Sequence, residues 1–69
     1  MGKIRLKVRE FADKKGWTLR EVSNRTDIPY ASVKNYAKSD LAMVDYTALI
    51  KLARVFDVAI DDLVEVIEE

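Results

Sequence analysis

Apolar residues recur along this chain at helical spacing. Ile4, Val8, Phe11 and Ala12 stand at i, i+4, i+7 and i+8, which predicts one face of a helix running to about Lys15. Gly16 follows, a residue that closes a helix in the left-handed conformation without a Cβ penalty. Thr18-Leu-Arg-Glu21 reads as a capping box, with the Thr18 hydroxyl serving a free N–H and Glu21 reaching back. A short second helix is expected from Leu19 to about Arg25, Val22 inward. Pro29 biases Ile28 toward extended backbone and is itself tolerated at a helix start, so residues 26–29 predict a tight connection. A third helix is expected over about Tyr30 to Lys38, with Val33 and Tyr36 or Ala37 facing the core.

Ser39 to Val44 reads as a loop of unusually apolar content. Asp45 can cap a fourth helix in which Tyr46, Leu49, Ile50, Leu52, Ala53 and Phe56 repeat, and Asp57 ends it. A fifth helix is expected over about Ile60 to Ile67, with Asp61 and Asp62 in its first turn, where negative charge suits the helix dipole. No strand is required, because Val58-Ala59-Ile60 is too short to pair usefully and no Asn-Gly or Asp-Gly hairpin signal occurs. The expected fold is all-α, five helices in one domain over residues 1–69.

Composition narrows the chemistry. Leu, Ile, Val and Phe supply 21 of 69 residues, enough for a packed core. A domain this small buries only ~60% of its unfolded surface, so marginal stability and help from dimerisation are expected. His and Cys are both missing, which excludes disulfides, Cys/His metal sites and thiol or imidazole catalysis. An enzyme would need carboxylates or Lys converging in a pocket, and the acids here fall on short, exposed helices; neither catalysis nor a cofactor is expected. The longest apolar run, Leu41-Ala-Met-Val44, is too short to span a membrane, and the start of the chain has no apolar signal-like stretch, so a cytoplasmic protein is expected.

The formal net charge is zero, yet the charges are segregated. All 12 basic residues lie in residues 1–54 beside six acids, whereas residues 55–69 hold six acids and no base. Phosphate attraction depends on local cation density within about one Debye length, ~8 Å at physiological salt, so the zero total does not exclude nucleic acid.

The segment from Leu19 to Tyr36 meets the demands of a helix-turn-helix. Ser23 is small where the next helix crosses, Asp27 accepts positive φ four residues later, Ile28 anchors the turn, and Val33 is the inward β-branched residue. Here the chain resembles the lambda-repressor and Cro-like (Xre-type) helix-turn-helix regulators. Gly16-Trp-Thr-Leu-Arg-Glu-Val-Ser23 is similar to that family's entry into the second helix. Asp27-Ile-Pro-Tyr-Ala-Ser-Val-Lys-Asn-Tyr36 resembles its turn and recognition helix, and Leu49-Ile-Lys-Leu-Ala-Arg-Val-Phe-Asp-Val-Ala-Ile-Asp-Asp-Leu63 its closing stretch.

The resemblance implies a transcriptional regulator, in particular a repressor, binding double-stranded DNA as a homodimer with its third helix in the major groove. Carried over by position, it puts Pro29, Tyr30, Ala31, Ser32, Lys34 and Asn35 at or near the bases, with Lys38 and Arg20 on backbone phosphates. Asn35 suits adenine N6/N7, Lys34 guanine O6/N7, and Ala31 or the Tyr30 ring a thymine methyl. Blander uses stay open: Tyr30 packing over Pro29, Lys34 meeting phosphate, and Ser32 and Asn35 as plain surface residues. Trp17 reads as a lid on the core and Tyr36 as core, while Lys3, Arg5, Lys7 and Arg9 read as a solvated face of the first helix, partly paired with Glu10 and Asp13.

The chain departs from the family's pattern at Leu19 (often Gln), Asp27 (usually Gly), residues 39–44 (often basic) and Ala59 (commonly a Ser or Thr cap). These departures predict weaker or more salt-sensitive DNA binding, with Asp40 repelled by the duplex. They also leave a second expectation, a protein-interaction or antitoxin-like module that engages a partner through Leu41-Ala-Met-Val44 and the acidic end.

Overall fold

The computed structural model describes residues 3–38, 41 and 43–67. Along them run β1 (Lys3–Leu6), α1 (Val8–Lys15), α2 (Leu19–Thr26), α3 (Tyr30–Tyr36), α4 (Tyr46–Phe56), α5 (Ile60–Leu63) and β2 (Val64–Ile67). All five expected helices form, but the chain is not all-α. β1 and β2 pair antiparallel, Lys3 with Ile67, Ile4 with Val66, Arg5 with Glu65 and Leu6 with Val64.

Two expected helices are therefore shorter than their periodicity suggests. The first begins at Val8, not near Ile4, and the fifth ends at Leu63, not Ile67. Lys3 to Arg9 alternates strictly between charged and apolar residues, a period-two pattern that also places Ile4 and Val8 four apart. Pairing resolves the ambiguity. In the observed register Ile4 and Leu6 share one face with Val66 and Val64, and Leu6 is almost wholly buried there. Residues 64–67, with three β-branched side chains, suit a pleated strand better than a last helical turn.

The expected loop after α3 adds a third piece to this clasp. Leu41 is buried, and its N–H and carbonyl exchange hydrogen bonds of 2.7 and 2.9 Å with Ile4. Ser39, Asp40 and Ala42 of that loop, and Glu68 and Glu69 of the acidic end, lie outside the described residues.

Local chemistry sets the helix ends as expected. Gly16 (φ 74°), Asp27 (φ 63°) and Asp57 (φ 58°) take the left-handed conformation at the C-caps of α1, α2 and α4. Asp45 Oδ1 accepts from the Thr47 N–H at 3.2 Å at the head of α4. Half of the expected capping box forms: Thr18 Oγ1 accepts from the Glu21 N–H at 3.1 Å. Glu21 does not reach back; its carboxylate accepts from Arg25 Nε at 2.8 Å, one helical turn on.

Val8, Val22, Val33, Leu52 and Leu63 are fully buried and join Leu6, Ile28 and Phe56 in one core. Trp17 closes its rim: the half-buried indole stacks on Phe56, 6.0 Å between centroids, under the Arg25 guanidinium at 4.3 Å. Tyr36 is half-buried against the same cluster. Arg5, expected on a helix face, instead ties the strands to α1, donating to Glu65 at 2.9 Å and to Glu10. Burial pushes the Glu10 carboxyl up, but the Arg5 hydrogen bond and nearby charges outweigh it and hold the group below its ordinary value.

Candidate nucleic-acid interface

The turn between α2 and α3 is locked by side chains that sequence spacing alone only partly exposes. Ser23 Oγ donates to the Ile28 carbonyl at 2.6 Å, fastening the end of α2 to the turn. Thr26 is buried; its hydroxyl donates to the Val22 carbonyl at 2.7 Å and accepts from the Ile28 N–H at 3.3 Å. Asp27 reverses the chain in the left-handed region, and Ile28 drops into the core. The Pro29 carbonyl accepts from the Val33 N–H at 3.0 Å, starting α3. No hydrogen bond of this turn needs a distant partner.

Buried Val33 fixes the rotation of α3, and the predicted site residues then divide among three flanks. Ala31 and Asn35, one turn apart, form the exposed ridge. Pro29 and half-buried Ser32 face the α4 side, in a shallow groove shared with Asp27, Tyr36, Asp45 and Lys51. Tyr30, Lys34 and Lys38, at i, i+4 and i+8, turn toward α1 and α2. There the structure brings together Tyr30, Lys34, Lys38 and Arg20 of the predicted set. Lys34 and Asn35 are both exposed, and neither side chain forms an ion pair or hydrogen bond with another described residue.

Tyr30 is the organising group of that third flank. The Arg20 guanidinium lies 4.3 Å from the ring centroid and the Lys34 ammonium 5.4 Å, so one half-buried ring carries a cation from each helix of the motif. This packing on cations is a use of Tyr30 beyond those the sequence leaves open. Trp17 lines the same groove, and so does Arg9 of α1. The sequence groups Arg9 with a solvated run, and no sequence spacing connects residue 9 to residues 30–38; only the packing of α1 beside the motif does. Asp13 is the carboxylate in the lining.

The charges are partitioned rather than mixed. Arg5 and Arg25 are neutralised by glutamates, whereas Arg9, Arg20, Lys34 and Lys38 have no carboxylate within ion-pair distance among the described residues. Four cations around one aromatic floor make a surface suited to phosphate. No group of three or more His, Cys, Asp or Glu is gathered among the described residues, and none of their helices is long and apolar enough to cross a membrane. No curated protein and no solved structure matches the chain. The Cro/C1-type HTH DNA-binding domain matches residues 7–69, nearly the whole length and the whole of the motif described above, and the chain belongs to that family of DNA-binding regulators.

Proposed function

We propose that the protein is a sequence-specific repressor that lays α3 in the major groove of its operator. The observation that carries this reading is the outer face of α3: Ala31 and Asn35 on the ridge and Lys34 beside them are exposed, and neither polar side chain forms an ion pair or hydrogen bond with another described residue. A rigid turn holds the ridge, so its side chains meet base edges without a large ordering cost. Asn35 is the adenine reader, Lys34 the guanine donor, and Ala31 the contact for a thymine methyl. Pro29 and Ser32 border the neighbouring base step, while Tyr30 sits at the border between base edge and backbone. Arg20 and Lys38 hold phosphates on either side and fix the register.

The acting unit in this reading is a symmetric homodimer on a palindrome, with half-sites about one helical turn (~34 Å) apart. Selection from a random duplex library at two salt concentrations tests it. An enriched palindrome with affinity falling steeply in salt supports the reading; failure to enrich any duplex refutes it.

One observation favours a second use of the same fold. The loop before α4 splits: Leu41 packs inward, but Met43 is 86% exposed and Tyr46, three residues on, 67%. Exposed apolar side chains of that size suit a protein partner, as in a repressor whose operator occupancy is set by a bound protein. Cross-linking at Met43 with and without operator DNA separates this use from DNA binding alone.

A further inference from the structure

The proposed repressor reading leaves Arg9 without a role, although it stands on the same groove as Arg20, Lys34 and Lys38. We propose that this groove, walled by α1, α2 and α3, is a seat for the DNA sugar-phosphate strand, and that Arg9 is a backbone contact supplied by α1. The inference rests on the α3 reading and extends the protein–DNA contact beyond the helix-turn-helix itself.

Three observations converge on it. The cations of the groove are unneutralised among the described residues, in contrast to Arg5 and Arg25, which spend their charge on Glu10, Glu65 and Glu21. The groove is continuous with the ridge of α3, because Lys34 and Lys38 sit on α3 or just past its end and flank Asn35. A strand lying there would therefore belong to the same duplex whose bases Asn35 meets. Finally, Tyr30 holds the Arg20 guanidinium against its face, so that cation is pre-positioned in the groove rather than free in solvent. Tyr30 thus acts as a positioning residue for Arg20. Asp13 is the single opposing charge in the lining, and its removal should strengthen what the four cations do.

The test measures affinity as a function of salt on the duplex selected by the wild-type protein and on a scrambled duplex. Arg9→Ala should weaken both alike and reduce the slope of log K against log salt by about 0.9, the share of one phosphate. Between 50 and 200 mM salt the wild type then loses about 3.5-fold more affinity than the variant. Arg9→Lys should restore the slope, and Asp13→Asn should tighten binding by an amount that fades as salt rises. Tyr30→Phe should keep the slope, while Tyr30→Leu should lower it by freeing Arg20. Thermal melts check that each variant is folded at the assay temperature. An unchanged slope for folded Arg9→Ala on a duplex it still recognises overturns the seat and leaves the α3 reading intact. A wild-type protein with no salt-dependent duplex binding overturns the reading beneath it, and the seat with it.

Discussion

The helix-turn-helix and the terminal clasp hold their shapes by opposite means. From Thr18 to Val33 the hydrogen bonds that fix the motif join residues two to five apart: Thr18 with Glu21, Val22 with Thr26, Thr26 with Ile28, Ser23 with Ile28 and Pro29 with Val33. In the clasp, the Arg5–Glu65 bridge joins residues 60 apart, and Leu41 reaches back to Ile4. The motif shapes its turn through its own short-range hydrogen bonds and borrows only apolar seating for Ile28 and Val33 from the shared core, whereas the clasp must close nearly the whole chain to exist at all. Loop-closure entropy falls most heavily on the clasp, and the proposed base-reading residues stand where that cost is smaller. The comparison predicts that damage to the clasp lowers stability without changing specificity, and damage to the ridge does the reverse.

The largest effect should come from the clasp. Leu6→Ala empties a buried site beneath the β1–β2 pair and should cost about 2–5 kcal/mol in denaturant unfolding. At a temperature where the variant stays folded, its preference among DNA sequences should match that of the wild type. A changed preference would mean that the two regions are mechanically coupled.

Next in size, Asn35→Ala should relax discrimination at one base pair by about 1–3 kcal/mol while the melting temperature hardly moves, since the side chain is exposed. Lys38→Ala is its counterpart and should weaken all sequences alike. Equal losses on every sequence from both substitutions would remove Asn35 from the reading role.

The contrast also explains which parts of the molecule were legible in the sequence. Gly16, Thr18, Asp27, Pro29 and Asp45 punctuate the chain through chemistry that acts within a few residues, and the five helices follow from them to within a residue or two at most ends. The strands were not legible in that way. Ile4 and Val8 satisfy both a period of two and a helical spacing, and only residues 64–67, at the far end of the chain, decide between them. The same holds within the candidate site. The outward placement of Ala31, Lys34 and Asn35 follows from burying Val33, but the placing of Arg9 and Lys38 on one groove depends on how α1 packs, which no local pattern encodes.

A smaller effect sharpens the local side of the comparison. Thr18→Ala removes the acceptor for the Glu21 N–H and should destabilise the protein by about 1 kcal/mol in thermal or denaturant unfolding. The Glu21–Arg25 pair is exposed and should compensate little of that loss.

The smallest effect belongs to the charged tie of the clasp. Glu10 titrates below its ordinary value when folded, so its contribution to stability is present above the unfolded carboxylate pKa and is lost as pH falls through the lowered folded one. Melting temperatures of the wild type and Glu10→Gln should therefore converge in acid and separate toward neutral pH, the wild type being the more stable there. Parallel curves across that range would mean that the Arg5 tie does nothing for the clasp.

If the protein reads DNA as proposed, the ridge of α3 meets the bases. Titrating the isotope-labelled protein with its selected duplex and following backbone and side-chain amide signals by NMR tests this most directly. The largest shifts should fall at Ala31, Lys34 and the Asn35 side-chain amide, with Met43, Tyr46 and Val66 almost unmoved. Shifts concentrated at Met43 and Tyr46 with a silent Asn35 would contradict it.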